Sequence, residues 1–257
     1  MKIATIIVTY NRLKLNRLAV ASHMHSTRKR HATLIVVDNG STDGTLEWLT
    51  EFHQAGFINK LWPMGKNAYL GPAWNAGFRL TDGYDYVGKV DNDYYFDMGW
   101  IENMISVIQK TDPACVIVAA DGIIQQERRQ YPEYTKEIDG IKFLEGPAHD
   151  QGGSYYLKRQ FLINHDISLP NRSHMTNFTN GYVMNLIREK GGRIVRLLPP
   201  YLSRKFERYA DPDLEDYYRE TFQKRGRLAE WETWRKAELE GGFKRGDIPF
   251  KRGGSYV

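Results

Sequence analysis

The stretch 84–96 reads Tyr-Asp-Tyr-Val-Gly-Lys-Val-Asp-Asn-Asp-Tyr-Tyr-Phe, and the architecture of the chain can be predicted outward from it. A run rich in β-branched and aromatic residues leads directly into two carboxylates, Asp91 and Asp93, and a helical pattern begins near Gly99. Side chains two residues apart on a strand point to the same face, so both carboxylates would leave the strand in one direction. Open α/β sheets bind ligands beyond the carboxyl ends of their strands.

Asp91 and Asp93 suit a divalent metal ion. Mg²⁺ and Mn²⁺ prefer oxygen ligands, and one or two protein carboxylates suffice when substrate phosphates complete the coordination shell. Asp-Asn-Asp is also common turn and capping chemistry, and a three-residue motif does not decide between the two interpretations. The surrounding sequence has to do so.

Strand-like and helix-like segments alternate on both sides of this stretch. Strands are predicted over residues 3–9, 33–37, 57–61, 84–90 and 114–120. Helices are predicted over residues 13–25, 45–53 and 100–109, and another after Gly71-Pro72. This alternation indicates βαβ units and a mostly parallel, Rossmann-like sheet flanked by helices. Neither a Gly-x-Gly-x-x-Gly motif after the first strand nor a P-loop is present, which argues against nicotinamide, flavin and P-loop chemistry.

The pattern changes beyond residue 120. Residues 121–150 are irregular and rich in charge, which predicts a surface excursion. A strand over 154–157, a helix over 183–190 and a strand over 193–198 follow. After Pro199-Pro200, two charged helices are predicted over 214–224 and 228–239, with an aromatic stripe that would pack against the main domain. The expected division is a domain over 1–205, with halves of about 1–110 and 111–205, and a helical extension with a basic tail over 206–257.

Composition limits the functional classes. The 257 residues carry a net charge of +5 and 41% apolar residues, as expected of a folded protein that prefers anionic partners such as nucleotides. The single cysteine, Cys115, lies in an apolar run and excludes an intrachain disulfide framework. The apolar run 3–8 is too short for a signal peptide, and no stretch approaches the length of a membrane span. A reducing cytoplasm is the expected setting.

Three further segments would meet Asp91 and Asp93 at the same sheet edge. Tyr10 follows the first strand and could pack on a nucleobase, and Asp38 follows the second strand and could accept a hydrogen bond from one. Residues 67–77, Asn-Ala-Tyr-Leu-Gly-Pro-Ala-Trp-Asn-Ala-Gly, open a helix whose amides could face a phosphate. Each segment alone also fits a packing, capping or loop role. Their common order and spacing favour a binding site.

That order closely resembles the family 2 glycosyltransferases of the GT-A fold, strongly over residues 2–109 and weakly to about 205. The resemblance implies a nucleotide-diphospho-sugar donor (UDP by default), a Mn²⁺ or Mg²⁺ ion, and transfer of a hexose or pentose to an acceptor. It makes Asp91 and Asp93 the metal-binding Asp-x-Asp motif. The donor-binding positions that it implies are Thr9, Tyr10, Arg12, Asp38, Asn67, Gly71, Asn75, Asp91, Asn92 and Arg204.

The acceptor half departs from the family pattern. Many members carry a Glu-Asp pair before a late helix, and the matching residues here, Thr179 and Asn180, cannot act as bases at neutral pH. Asp150 is the candidate catalytic base, unless the enzyme retains anomeric configuration and needs none. Its rivals are His149, Asp166 and His174. Two other departures concern the donor side. The late strand carries Ser203-Arg204-Lys205 instead of a histidine ligand, so Arg204 or Lys205 would hold the diphosphate by charge. Trp74 stands where an arginine is common in the family.

Two other functions remain open at this point. A sugar-nucleotide nucleotidyltransferase shares the Rossmann-like half, but it would need a glycine-rich loop with a basic residue after the first strand. A glycosyltransferase-like binding module without catalysis would explain the missing Glu-Asp pair, whereas the intact Asp91 and Asp93 argue against it. The acceptor itself is undetermined: a glycan, a lipid-linked sugar, a protein or a modified DNA base all fit, and the basic tail gives a nucleic acid weak support.

Overall fold

A computed structural model describes residues 1–27, 32–119, 132–145, 153–170, 176–198, 203–205, 210–224 and 226–240. The side chains of residues 132, 176–180, 203–205 and 237 lie outside that description. The chain divides into two compact units, Met1–Phe206 and Glu207–Val257.

The first unit is built around a mixed sheet. Its strands are β1 (Ile3–Thr9), β2 (Ala32–Asp38), β3 (Lys60–Pro63), β4 (Tyr86–Val90), β6 (Cys115–Ile117), β7 (Thr135–Ile138), β8 (Ile141–Glu145), β9 (Ser154–Lys158) and β10 (Ile194–Leu197). They lie in the order β3-β2-β1-β4-β9-β6-β10-β8-β7, and β5 (Tyr94–Phe96) pairs separately with β11 (Ser203–Lys205). The four strands β3, β2, β1 and β4 are parallel, whereas β9 runs antiparallel to both of its neighbours.

Helices cover both faces of this sheet. They are α1 (Leu13–Thr27), α2 (Thr45–Gln54), α3 (Leu70–Phe78), α4 (Trp100–Thr111), α5 (Arg159–Asn164) and α6 (Thr176–Glu189). Strand β1 explains the arrangement, because Ile3 and Ile7 belong to one buried cluster and Ala4 and Ile6 to the other. A strand buried on both faces reads as a continuous apolar run, which is why β1 was predicted with its observed bounds.

Several predictions for the first unit differ from the structure. The late helix begins at Thr176 instead of residue 183, and the strand predicted over 114–120 covers Cys115–Ile117. The third strand begins at Lys60 instead of residue 57, because Phe57 is 40% exposed in the turn after α2. The prediction of a surface excursion over 121–150 is wrong for residues 135–145, which form β7 and β8 and extend the sheet beyond β10. Phe143 and Leu144 are buried in the core, and they are flanked by Lys142 and Glu145.

The second unit contains α7 (Glu215–Lys224) and α8 (Leu228–Leu239). Its predicted aromatic stripe joins these two helices: the rings of Tyr218 and Trp231 lie 6.4 Å apart, and those of Phe222 and Trp234 5.8 Å apart. Arg235 reaches from α8 to Glu215 on α7 with an N–O distance of 2.6 Å.

None of the helices in the described ranges has both the length and the apolar character needed to span a bilayer.

Candidate functional site

The parallel strands bring the predicted site residues to one edge of the sheet. Thr9 lies beside Asp38 in the register of β1 and β2, and Ile7 lies beside Val90 in that of β1 and β4. Asp91 therefore follows β4 close to the point where β1 ends at Thr9. The β1, β2 and β4 ends form the carboxyl edge at which α/β sheets hold ligands.

Asp38 is buried and holds the loop that follows β2. Its Oδ1 accepts hydrogen bonds from the hydroxyls of Thr9 (3.1 Å) and Ser41 (2.5 Å), and its Oδ2 accepts from the amides of Gly40 (3.1 Å) and Ser41 (3.0 Å). A carboxylate offers about four acceptor positions, so these four bonds use its capacity. Asp38 thus acts as a turn cap in this structure, and its contact with a nucleobase stays a prediction.

The loop after β1 is fastened to the loop after β2. Asn11 and Arg12 both have positive φ angles (49° and 65°), which non-glycine residues adopt only when their surroundings fix them. The Asn11 amide donates to Ser41 Oγ (2.8 Å), and Asn11 Oδ1 accepts from the Thr42 amide (2.8 Å). The backbone on either side of Tyr10, which is half-buried, is consequently rigid.

Asn92, the middle residue of Asp-Asn-Asp, is hydrogen-bonded to residues of the loop after β1 and of α1. Its Oδ1 accepts a hydrogen bond from Arg12 Nη2, and its Nδ2 donates to Asn16 Oδ1 (2.5 Å). Asn92 and Arg12 were both predicted to touch the donor. In the structure they join the end of β4 to the start of α1.

Asp91 lies between Lys89 and Gly153. Lys89 Nζ forms an ion pair with Asp91 Oδ1, and the Asp91 amide donates to the Gly153 carbonyl (2.8 Å). A Cβ on Gly153 would come within 2.5 Å of Asp91 Oδ2 and 2.3 Å of the Tyr94 ring. Only glycine fits there without displacing one of these groups.

The oxygen donors at this edge fit a divalent cation whose ligands come partly from elsewhere. Asp91 is 32% exposed, whereas Asp93 is 4% exposed. Within the described ranges, no three or more His, Cys, Asp or Glu side chains are grouped as metal ligands. Two carboxylates agree with the Mg²⁺ pattern in which phosphates and waters complete the shell. The missing Cβ of Gly153 lets Asp91 Oδ2 and the Tyr94 ring pack closely against the glycine.

Asn67 ties the loop before α3 to the loop after β2. Its Oδ1 accepts from Asn39 Nδ2 (3.1 Å) and from the Tyr69 amide (2.9 Å), and Asn39 Oδ1 accepts from the Ala68 amide (2.8 Å). Gly40 permits this approach, since a Cβ there would lie 2.6 Å from the Lys66 backbone. Asn67 is exposed and therefore accessible to a ligand.

Gly71 and Asn75 of α3 hold the segment that follows α5. Asn75 Nδ2 donates to the Leu169 carbonyl (2.8 Å), and the Leu169 amide donates to Asn75 Oδ1 (3.1 Å). A Cβ on Gly71 would lie 2.0 Å from the Pro170 carbonyl oxygen. A packing role was one of the alternatives for this segment, but its partner, 94 residues away in sequence, was not predicted.

Most of the residues predicted for the acceptor site lie outside the described part of the chain. Asp150, His149 and His174 lie outside the described residues. Thr179 and Asn180 are in α6 and Arg204 is opposite Tyr95 in the β11–β5 pair, but these side chains are among those not described. Asp166 is exposed at a positive φ of 50° in the turn after α5.

Trp74 is a core residue. It is buried on α3, and its ring stacks on Phe78 with a centroid distance of 5.3 Å. Within the described ranges, its indole nitrogen has no hydrogen-bond partner.

Lys89 and Asn39 contact predicted site residues, but neither was among the site residues predicted from the sequence. A lysine inside the otherwise apolar run of β4, two residues before the first aspartate, is the signal that would have identified Lys89. Asn39 was quoted within its motif but given no role.

Comparisons with known proteins agree on one family. A sequence model described as "Glycosyl transferase family 2" matches residues 4–171, more than half of the chain. An uncharacterized glycosyltransferase of Nostoc sp. is 27% identical over 155 residues, which cover 58% of this chain and 47% of the relative.

Solved structures share the fold at low sequence identity. S. aureus TarS (residues 1–349) has a TM-score of 0.60 and 17% identity, with 85% of this chain and 62% of that chain covered. A mannosyltransferase of Pyrobaculum calidifontis has a TM-score of 0.63 and 16% identity, with 95% and 65% covered. These likenesses confirm the predicted α/β fold of GT-A type. The chain spans about half the length of the Nostoc relative and under two thirds of TarS.

Proposed function

The chain belongs to glycosyl transferase family 2, and we propose that it transfers a sugar from a nucleoside-diphosphate sugar to a hydroxyl group of an acceptor, with a divalent metal ion at Asp91 and Asp93. The observation that carries the proposal is the position of Asp91, directly after β4 and beside the ends of β1 and β2. The loops at these ends are fixed to one another by Asn11, Ser41 and Asp38. A rigid, polar sheet edge of this kind is suited to orient a nucleotide.

Structures of related proteins support a nucleotide-sugar donor and a metal. TarS was solved with UDP and with UDP-GlcNAc, GalNAc-T7 with UDP, GalNAc and Mn²⁺, and the Pyrobaculum mannosyltransferase with GDP-Man and Mn²⁺. Both uridine and guanosine donors occur among these proteins. UDP is the first donor to test here, and GDP the second.

The residues of this chain would act mainly by binding and orientation. A divalent cation, when bound, offsets the negative charge of the departing nucleoside diphosphate without a proton transfer. Asp91 and Asp93 would hold it, Asn67 and the amides that open α3 would face the donor, and Arg204 would add positive charge near the diphosphate. Because the loops after β1 and β2 and the loop that carries Asn67 are cross-linked, little reorganisation of them is needed when the donor binds.

The acceptor hydroxyl needs a base if the reaction inverts the anomeric centre. Thr179 and Asn180 cannot serve, and we propose Asp150 for this role. The Asp150→Asn variant is expected to lose transfer while it keeps nucleotide binding. Transfer at the wild-type rate would assign the base elsewhere or indicate a retaining reaction.

A donor-hydrolysis assay tests the proposed function. UDP-GlcNAc, UDP-GalNAc and GDP-Man are incubated with wild-type protein and Mn²⁺, and release of UDP or GDP is measured. We expect release from one donor, and its loss in an Asp91→Asn/Asp93→Asn variant. Asp82→Asn is the matched control, because the Asp82 carboxylate pairs with Arg159 and its side chain is 93% exposed. Tight nucleotide binding without turnover of any donor would instead support a binding module.

A further inference from the structure

Lys89 is a buried lysine in the centre of the sheet. Its side chain is 2% exposed, and it stands on β4 between Ile6 of β1 and Tyr155 of β9. Its ammonium group pairs with Asp91 Oδ1 and lies 5.7 Å from the centre of the Tyr155 ring. A lysine is rarely this buried unless it is paired, because an isolated charge is costly inside a protein. Asp91 provides the compensating charge.

The two oxygens of Asp91 consequently differ. Oδ1 is engaged by the Lys89 ammonium, whereas Oδ2 packs against Gly153, where a Cβ would lie 2.5 Å from it. Lys89 lies within β4 and Asp91 directly follows the last residue of that strand, so the lysine reaches the carboxylate from the sheet interior. The ion pair thereby fixes the orientation of the carboxylate at the sheet edge.

The same ammonium acts against a metal at this carboxylate. Asp91 and Asp93 together carry two negative charges, and Lys89 cancels one of them. A divalent cation on Asp91 would lie close to the buried, fixed positive charge of Lys89, and like charges repel. The two carboxylates have no third acidic, histidine or cysteine ligand grouped with them in the described part of the chain. A nucleoside diphosphate would supply the missing negative oxygens.

We propose that Lys89 is a positioning residue that serves as an internal counter-cation: it holds Asp91 in place before the donor binds and weakens the binding of metal alone, so that metal and nucleoside diphosphate bind together. This inference rests on the proposed function, because it takes Asp91 as a metal ligand. It assigns a reason to a buried charge that neither catalysis nor the family likeness explains.

Titration with MnCl₂ in the absence of nucleotide tests the inference. Free Mn²⁺ is followed by electron paramagnetic resonance, or binding heat by calorimetry, for wild type, Lys89→Met and Lys158→Met. Met preserves most of the lysine volume without the charge. Lys158→Met is the matched control, since it removes a lysine from an ion pair with Asp112 at the opposite end of β9.

We expect Lys89→Met to bind Mn²⁺ at least tenfold more tightly than wild type and Lys158→Met. We also expect UDP or GDP to raise Mn²⁺ affinity less in Lys89→Met than in wild type. Lys89→Arg keeps the charge and should bind Mn²⁺ as wild type does. Unchanged or weaker Mn²⁺ binding by Lys89→Met overturns the inference, as does the absence of Mn²⁺ binding from both proteins.

Two further measurements separate the possible failures. If Lys89→Met does not fold, as judged by circular dichroism, Lys89→Gln removes the same charge and takes its place with the same expected result. The proposed function fails on different evidence, namely that no nucleotide binds to wild type in the presence of Mn²⁺. Nucleotide binding together with unchanged Mn²⁺ affinity in Lys89→Met would reject only the role given to Lys89.

Discussion

Replacing Gly153 by alanine should damage the site and the fold together. An added Cβ would lie 2.3 Å from the Tyr94 ring and 2.5 Å from Asp91 Oδ2. Both distances are well below van der Waals contact, so one of these groups has to move. Overpacking a buried position costs about 1–3 kcal/mol. For a protein of this size, a loss of 2 kcal/mol corresponds to a decrease in melting temperature of roughly 4–8 °C.

The functional effect of Gly153→Ala should exceed its effect on stability. Asp91 is the more exposed of the two displaced groups, and its carboxylate is therefore expected to turn away from its present position. We expect Mn²⁺-dependent nucleotide binding to weaken at least tenfold, as measured by calorimetry below the melting temperature.

Gly77→Ala separates these two effects. A Cβ at Gly77 would meet Ile6 Cγ2 at 2.7 Å and Val37 Cγ2 at 3.0 Å, so it also overpacks the core, but without a contact to Asp91. It should lower stability and leave nucleotide affinity within about twofold. If both variants bind nucleotide equally well, the argument that Gly153 maintains the Asp91 position is refuted.

Three further predictions concern stability. Burial lowers the pKa of His23 to about 3, whereas its pKa in the unfolded chain is about 6.5. The free energy of unfolding should therefore fall as the pH drops below about 6.5, by about 2 kcal/mol at pH 5. Urea unfolding at pH 8 and pH 5 should show this loss in wild type, and an equal loss in His23→Gln would contradict it. Asn75→Ala removes both hydrogen-bond partners of the Leu169 backbone. The free energy of unfolding, measured with urea, should decrease by about 1–3 kcal/mol. A decrease below about 0.5 kcal/mol would mean that water replaces these partners. Trp231→Ala removes a buried ring that packs against Tyr218 and lies under Arg219 and Arg235. Loss of this packing should make limited proteolysis cut within 207–257 before it cuts within the first unit. Unchanged resistance to the protease would refute the packing role of Trp231.

The donor half of the fold could be predicted because its central strands β1, β2 and β4 are largely buried. The run 3–9 is apolar without interruption, and turn residues follow it immediately, so its bounds were predicted as observed. Residues 135–145 gave no such signal. β7 and β8 lie at the edge of the sheet, and their exposed charged residues outnumber the two core positions, Phe143 and Leu144.

The site could be predicted in its position but not in its contacts. Asp91 and Asp93 were found from their spacing at the end of a strand. The hydrogen bonds that fill the acceptor positions of Asp38, and those between Asn75 and Leu169, depend on tertiary distances. Local sequence patterns do not contain these distances. Lys89 was overlooked because a lysine is ordinarily taken as exposed, and its burial follows only from the pairing of β4 with both β1 and β9.

The most direct test of the central claim is nucleotide binding by calorimetry. UDP, GDP, CMP and dTDP are titrated with and without Mn²⁺ into wild type and into the Asp91→Asn/Asp93→Asn variant, with Asp82→Asn as the control. The account predicts that one nucleoside diphosphate binds to wild type and to the control, that binding requires Mn²⁺, and that the double variant loses it. Failure of all four nucleotides to bind to wild type would contradict the assignment of this sheet edge as a donor site.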